Sequence, residues 1–395
     1  MEISFENTET AFSAKSDAEL FRAYLLFKLV ANNTLVKAGR VITNIAIKSH
    51  LPIRPFIKAT IFKQFCGGES ISDCDPTIAS LAVYQIGTIL DYSVEGKHNE
   101  SSFNYTTKVL IEATEKANVN PNIPFSVFKM SGIARFGLLE KINEGKLLTE
   151  AEKEEWARVS QRVGMICKAA HEASVPVFID AEESWVQDAV DNLALEMMRL
   201  YNKEKPIVFN TLQMYRTGRI DYMKMLHKMA VDEGFFIGMK IVRGAYMEKE
   251  RERAKKMGYP SPIQPDKIAT DKDYDDVLLY CIKHIDRIAV CAGTHNETST
   301  KYLLDLMEEY NIGRDNKNIY FAQLYGMSDH ISFNLAKEGY NVAKYVPYGP
   351  VKEVLPYLIR RAEENTSVAG QTGRELRLIS TERERRKKVK KSQES

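Results

Sequence analysis

The sequence predicts an α/β chain whose greater part is one (β/α)8 TIM-like barrel, preceded by a helical extension. Three observations predict it. Short apolar, β-branched-rich runs recur eight times from about residue 86; stretches long enough for a helix separate them; and the eight units together occupy residues 86–370. That span suits a barrel of roughly 250 residues better than an open doubly wound sheet, which usually has fewer strands.

In chain order, residues 1–85 come first and follow a different pattern. Apolar residues fall at helical spacing through Leu20 to Val30 and Val41 to Ile47, then Pro52 and Pro55 intervene, and Ile57 to Phe65 resumes the pattern before the Gly67, Gly68 turn. This reads as a helical extension that caps the bottom or flank of the barrel; a dimer arm is the lesser use. The expected strands are Ile89 to Val94, Phe125 to Met130, Val177 to Ala181, Ile207 to Leu212, Ile237 to Val242, Ile288 to Ala292, Ile319 to Leu324 and Val342 to Val346. Their near-continuous apolar character suits strands buried on both faces, as in a parallel sheet. The linking stretches carry helical periodicity, for example Trp185, Ala189, Leu193, Leu195, Met198 and Leu200. The helix after the eighth strand is expected over Val351 to Glu364, interrupted near Pro356, and residues 371–395 form a basic tail.

Charge excludes some functions. Lys and Arg number 55 against 53 Asp and Glu, a net charge of +2, which is too little to coat nucleic acid; no nucleic-acid partner is expected. Residues 381–395 hold seven basic and three acidic side chains, a local +4, so residues 1–380 sum to −2. The best apolar run, Phe235 to Val242, is far short of a membrane span and contains Gly238 and Lys240. Glu2, Glu6 and Glu9 stand where a transit or secretory peptide would be basic, so a cytoplasmic protein is expected, at most peripheral on an inner membrane. The five cysteines are odd in number and lack CxxC spacing, which argues against a disulfide framework or a zinc site.

In a barrel, chemistry gathers where strands end. There the sequence places Asp91, Lys129, Asp180 with Glu182 and Glu183, Gln213, Lys240 with Arg243, Thr294-His295-Asn296, Gln323, and Lys344 with Tyr345. Singly each has a bland reading: Lys129 or Lys240 pairs with Asp180, and Gln213 satisfies loop backbone. Jointly they describe a mouth rich in cations. The segment Lys240-Ile-Val-Arg-Gly-Ala-Tyr246 sets two cations around a strand end and follows them with a glycine, a turn suited to an anion or a phosphate-bearing cofactor. Arg360 and Arg361 are neighbours on the last barrel helix, about 100° apart, so spacing alone expects one solvated and one packed; the sharper reading has both fork around a carboxylate, with Lys129 as third cation. GxGxxG after a strand, GxxxxGK[ST], HExxH and GxSxG are all lacking, and no metal site is expected.

Together these segments resemble the proline dehydrogenase family, flavoenzymes with a distorted (β/α)8 barrel. The resemblance rests on Leu90-Asp-Tyr-Ser-Val94, Phe128-Lys-Met130, Phe178-Ile-Asp-Ala-Glu-Glu183, Gln213-Met-Tyr215, Lys240-Ile-Val-Arg-Gly-Ala-Tyr246, Thr294-His-Asn296, Gln323-Leu-Tyr-Gly-Met327, Tyr345-Val-Pro-Tyr-Gly349 and Tyr357-Leu-Ile-Arg-Arg-Ala-Glu-Glu-Asn365, in chain order. It implies FAD across the barrel mouth and oxidation of L-proline to Δ1-pyrroline-5-carboxylate, with electrons passed to a membrane quinone. It further implies that Lys129, Arg360 and Arg361 hold the proline carboxylate, that Tyr345 and Leu324 pack on the ring, and that Tyr246 lines the same pocket. Asp180 braces the polar groups around the flavin, and Gln213, Lys240, Arg243, Gly244, Ala245, Thr294 and His295 contact FAD. The cation order, Lys240 then Arg243, is similar to that of the eukaryotic-type branch, whereas the bifunctional bacterial branch has Arg then Lys. With no aldehyde dehydrogenase segment in the sequence, a separate pyrroline-5-carboxylate dehydrogenase is expected for the next step. The rivals are a hydroxyproline-oxidising relative, which Tyr345 disfavours by crowding a 4-hydroxyl, a Schiff-base aldolase using Lys129 or Lys240, and a barrel that only binds an amino acid.

Overall fold

The computed structural model describes residues 3–31, 54–94, 99–367 and 371–394. The expected helical stretch Val41 to Ile47, with Pro52 after it, lies outside the described residues. All eight expected strands form: β1 Ile86–Tyr92, β2 Ser126–Lys129, β3 Val177–Asp180, β4 Val208–Gln213, β5 Ile237–Val242, β6 Ile288–Gly293, β7 Ile319–Leu324 and β8 Val342–Tyr348. They share one sheet in the order β1-β8-β7-β6-β5-β4-β3-β2, and a parallel bridge from Ile89 to Phe125 joins β1 to the residue before β2, giving the barrel connectivity. By contacts the chain divides into two compact units, one of Ile89–Tyr92 and Gly96–Ala322, the other of Met1–Thr88, Ser93–Glu95 and Gln323–Ser395.

The first unit holds β2 to β7 and the helices between them. Register is in phase from strand to strand, Lys129 beside Asp180, Thr211 beside Lys240 and Lys240 beside Cys291, so the polar strand ends line up at one end. The other end is plugged by aromatics. Phe125 stacks on Phe178 at 4.4 Å between ring centres, and the Phe209 and Tyr320 rings meet it edge-on at 5.6 and 4.8 Å. Gly238 lies beside Phe209 in the register, and a Cβ there would come within 2.5 Å of that ring, so the plug requires a glycine at this strand position. The expected helix around Trp185 to Leu200 is Ser184–Tyr201; of its expected face Ala189, Leu193 and Met198 are buried, Trp185 and Leu195 are half-buried and Leu200 is exposed, while Val186, Val190, Ala194 and Met197 complete the buried side.

The second unit corrects three expectations. The helix after β8 runs Val351–Ser367 without interruption at Pro356. Pro356 removes one hydrogen bond, that to the carbonyl of exposed Lys352, and the buried Val354, Leu355, Tyr357 and Leu358 hold the helix on either side of it. The basic tail is an ordered helix, Gln371–Glu394, with Leu378 and Ile379 in a core that also takes Phe12, Leu20, Ala23 and Phe27 from the N-terminal segment. Arg386 donates to the carbonyls of Phe12 and Lys15 and to Asp17, while Glu382, fully buried, accepts from Thr8, Arg385 and Arg386. The N-terminal helix Asp17–Val30 opens with a capping box between Ser16 and Glu19. After Phe65 the chain does not stop at Gly67 and Gly68: a further helix, Asp75–Ala82, with proline in its first turn, leads into β1.

Candidate active site

Among the expected residues, the first unit brings four together, Asp91, Lys129, Asp180 and Lys240. Lys129 ends β2, Asp180 ends β3 and Lys240 lies in β5. The Lys240 ammonium donates to Asp180 Oδ1, and Lys129 Nζ stands 3.5 Å from Asp180 Oδ2 and 3.5 Å from Asp91 Oδ2. Asp180 and Lys240 are buried, at 8% and 6% exposure, and Lys240 also lies 5.3 Å from the centre of the Phe178 ring. The bland expectation that a lysine pairs with Asp180 is therefore met by both lysines. Two carboxylates, Asp91 and Asp180, balance the two ammonium groups, so the cluster fixes both lysines at the strand ends as an internally paired array of charge.

The glycine-bearing turn after β5 is built on a second cluster. Arg243 Nε donates to Asp271 at 2.6 Å, and its two terminal nitrogens donate to Thr294 Oγ1 and Ser299 Oγ, each at 2.8 Å. The guanidinium stacks 4.3 Å from the Tyr274 ring centre. Sequence reading placed Arg243 and Thr294 at the site but missed Asp271, Ser299 and Tyr274, which hold the guanidinium; they lie on helices and carry no local signal. Burial works against ionisation of Asp271, yet the ammonium of Lys267 and the Arg243 guanidinium hold its pKa below the usual carboxylate range.

Gly244 has φ +129, and a Cβ there would overlap the Tyr215 ring at 2.3 Å. The turn is bare backbone of necessity: Tyr215 N–H donates to the Arg243 carbonyl at 2.7 Å, closing the ring edge against it. Gly244 and Ala245 are exposed, Tyr246 and His295 half-buried. Gln213 ends β4 at 4% exposure with its Oε1 accepting no hydrogen bond, an acceptor waiting for a donor such as a ring N–H or a ribose hydroxyl. An orphaned buried acceptor, a bare turn and the fixed cations at the ends of β2 and β5 fit a large anionic cofactor with a polar ring. Asn296 accepts from the N–H groups of Thr298 and Ser299, capping the helix Glu297–Glu309. Beside the cluster, burial pushes the Glu182 carboxyl up to about 7, against the opposing Ser131 N–H, which donates to it at 2.6 Å. Among the described residues there is no group of three metal-ligating side chains and no helix long and apolar enough to cross a membrane.

In the second unit, Tyr345 in β8 is 8% exposed and Leu324 ends β7 half-buried against the unit's core. Tyr325 N–H donates to the Tyr345 carbonyl at 2.8 Å, tying the two strand ends together. Arg360 and Arg361 are both half-buried, rather than one solvated and one packed, and Arg361 lies 5.5 Å from the Tyr357 ring centre.

The proline dehydrogenase family profile matches residues 74–374. "Proline dehydrogenase 1, mitochondrial" of Dictyostelium discoideum is 33% identical over 96% of this chain and 74% of its own length. The Homo sapiens protein of the same name is 44% identical over 60% of this chain and 40% of its own length. Among solved structures, proline utilization A (PutA) from Bdellovibrio bacteriovorus inactivated by N-propargylglycine superposes with a TM-score of 0.70 at 20% identity, over 92% of this chain and 37% of that one. That likeness establishes the barrel fold; the chain spans little more than a third of the solved protein.

Proposed function

Since the chain belongs to the proline dehydrogenase family, we propose that it oxidises L-proline to Δ1-pyrroline-5-carboxylate, the first step of proline catabolism, with FAD as cofactor and a membrane quinone as electron acceptor. The observation that supports this most is the pair of lysines that share Asp180, Lys240 buried and Lys129 half-buried, together with a glycine turn that tolerates no side chain. When bound, FAD supplies the two-electron acceptor that no side chain offers. Everything else falls to the chain.

The reaction takes a hydride from the ring carbon next to nitrogen and a proton from the amine, so it needs a held substrate and a deprotonated nitrogen more than a nucleophile. Lys129, Arg360 and Arg361 are the cations assigned to the proline carboxylate, Leu324 and Tyr345 the apolar faces assigned to its ring, and Tyr246 a further lining residue. Gln213, Lys240, Arg243, Gly244, Ala245, Thr294 and His295 are assigned to FAD. Asp180 acts by fixing Lys129 and Lys240. Arg243, with its nitrogens committed to Asp271, Thr294 and Ser299, contributes fixed charge more than free donors. Tyr345 disfavours 4-hydroxyproline by its bulk. Both lysines an aldolase would need are paired with carboxylates, whereas Schiff-base chemistry needs a neutral amine. Product passes to a separate pyrroline-5-carboxylate dehydrogenase, and the quinone implies a peripheral visit to a membrane, for which exposed Lys387 and Lys388 are the assigned contacts.

The purified protein decides the matter. A flavin absorbance spectrum bleached anaerobically by L-proline is the expected result, and colourless protein whose added FAD ignores proline would overturn the proposal.

A further inference from the structure

The segment Leu324-Tyr-Gly-Met-Ser-Asp329, which begins at the last residue of β7, is held by polar side chains from four other parts of the second unit, three of them buried. Gln64 Nε2 donates to the Gly326 carbonyl at 2.9 Å, Lys344 Nζ donates to the Met327 carbonyl, and a Glu375 carboxylate oxygen accepts from Ser328 N–H. Asp329 then pairs with Lys344 at 2.9 Å and with Lys15 at 3.1 Å. The holders are deeply buried: Lys344 is 0% exposed, Glu375 3% and Gln64 5%. Burial alone would push the Asp329 carboxyl up, but the two ammonium groups outweigh it and hold it at about 2.

The segment needs holding. Gly326 has φ +77 and Ser328 φ +51, two left-handed residues within three, and the second is not a glycine. A buried ionic cluster is a costly way to gain stability, since apolar residues of the same volume serve as well or better; it is better suited to fixing one conformation. Its effect falls on Leu324 and Tyr345. Leu324 begins the held segment, Lys344 precedes Tyr345, and Tyr325 N–H donates to the Tyr345 carbonyl.

We propose that Glu375, and through it the C-terminal helix Gln371–Glu394, is a positioning residue that sets where Leu324 and Tyr345 meet the substrate ring. This rests on the proline-oxidation reading for the identity of that ring. The clamp itself joins residues 47 apart in sequence and is independent of that reading.

The test compares full-length Glu375→Ala and Glu375→Gln with the parent, by steady-state kinetics with L-proline, by flavin content and by amide hydrogen exchange across 324–329. For Glu375→Ala the expected result is a KM for proline raised about tenfold with kcat changed by less than about twofold, unchanged flavin content and faster exchange in the segment, largely rescued by Glu375→Gln, which keeps an acceptor oxygen. Exchange at the parent rate, or a loosened segment with parent KM, overturns the proposal. If Glu375→Ala does not fold, Gln64→Leu, which severs the bond to Gly326, carries the same readouts. If the parent does not turn over proline, the functional reading fails, while the exchange experiment still decides whether Glu375 holds the segment.

Discussion

At the scale of single residues, Asp180 and Glu182 stand two positions apart and behave oppositely. Asp180 is the carboxylate that Lys129 and Lys240 share. Lys129 has Asp91 as a second partner, so Asp180→Ala falls chiefly on Lys240, whose buried ammonium loses the carboxylate it donates to. Removing one side of a buried pair costs about 3–5 kcal/mol. The variant is expected to lose that much unfolding free energy in urea and to lose proline turnover; a parent-like urea midpoint would show that Lys240 has another counterion. Glu182 carries a folded-state pKa of about 7 against an unfolded value near 4.5, because burial disfavours its charge. Between those values the folded state binds the extra proton, so stability present below about pH 4.5 is lost as pH rises through 7, by roughly 3 kcal/mol in all. Glu182→Gln keeps the oxygen that accepts from Ser131 and has no charge to lose. Its unfolding free energy is expected to match the parent at about pH 4 and exceed it at about pH 8; equal pH profiles would assign the parent's Glu182 an ordinary pKa.

At the scale of elements, strands were legible and the C-terminal helix was not, for physical reasons. Each strand announces itself by a local apolar run, and β5 and β7 were read at their observed bounds. The residues at strand ends followed, since register places Lys129 beside Asp180. What the sequence could not show are partners set by the fold alone: Asp271 and Ser299 for Arg243, or Glu375 for Ser328, carry no pattern at their own positions. The helix Gln371–Glu394 reads in sequence as no more than a basic tail because its apolar residues are few: Leu376, Leu378, Ile379 and Val389. It holds its place by charge. Glu382 binds Arg385 and Arg386 within the helix and Thr8 outside it. Burial raises the Glu382 pKa, but those partners outweigh it and leave it depressed. A depressed carboxylate contributes stability above its unfolded pKa and loses it as pH falls through the folded one. Glu382→Gln is therefore expected to cost about 1–3 kcal/mol at pH 7, with the gap from the parent closing below about pH 4 in urea titrations followed by circular dichroism. A gap that persists undiminished in acid would make the side chain's packing, not its charge, the source.

At the scale of the whole molecule, the net charge of +2 conceals a body summing to −2 and a C-terminal run, residues 381–395, of +4. That run is the assigned membrane contact, and the fold dictates how it must be tested. Deleting it would remove Arg385, Arg386 and Lys390, which are tied to Glu9, Asp17 and the carbonyls of Phe12 and Lys15; lost binding would then report a loosened N-terminal segment as readily as lost charge. Lys387 and Lys388 are exposed on the same helix. Reversing both to Glu changes the charge by four and leaves those contacts in place. A basic residue near an anionic bilayer contributes about 1 kcal/mol, so the double reversal is expected to lower partitioning onto phosphatidylserine-containing vesicles more than tenfold in flotation at about 0.1 M salt. The urea midpoint should stay at the parent value. Vesicles of neutral lipid should bind neither protein, and raised salt should weaken the parent alone. Parent protein that does not float with anionic vesicles, or floats equally after both reversals, would return this helix to a purely internal role: closing the core of the second unit over the N-terminal helices.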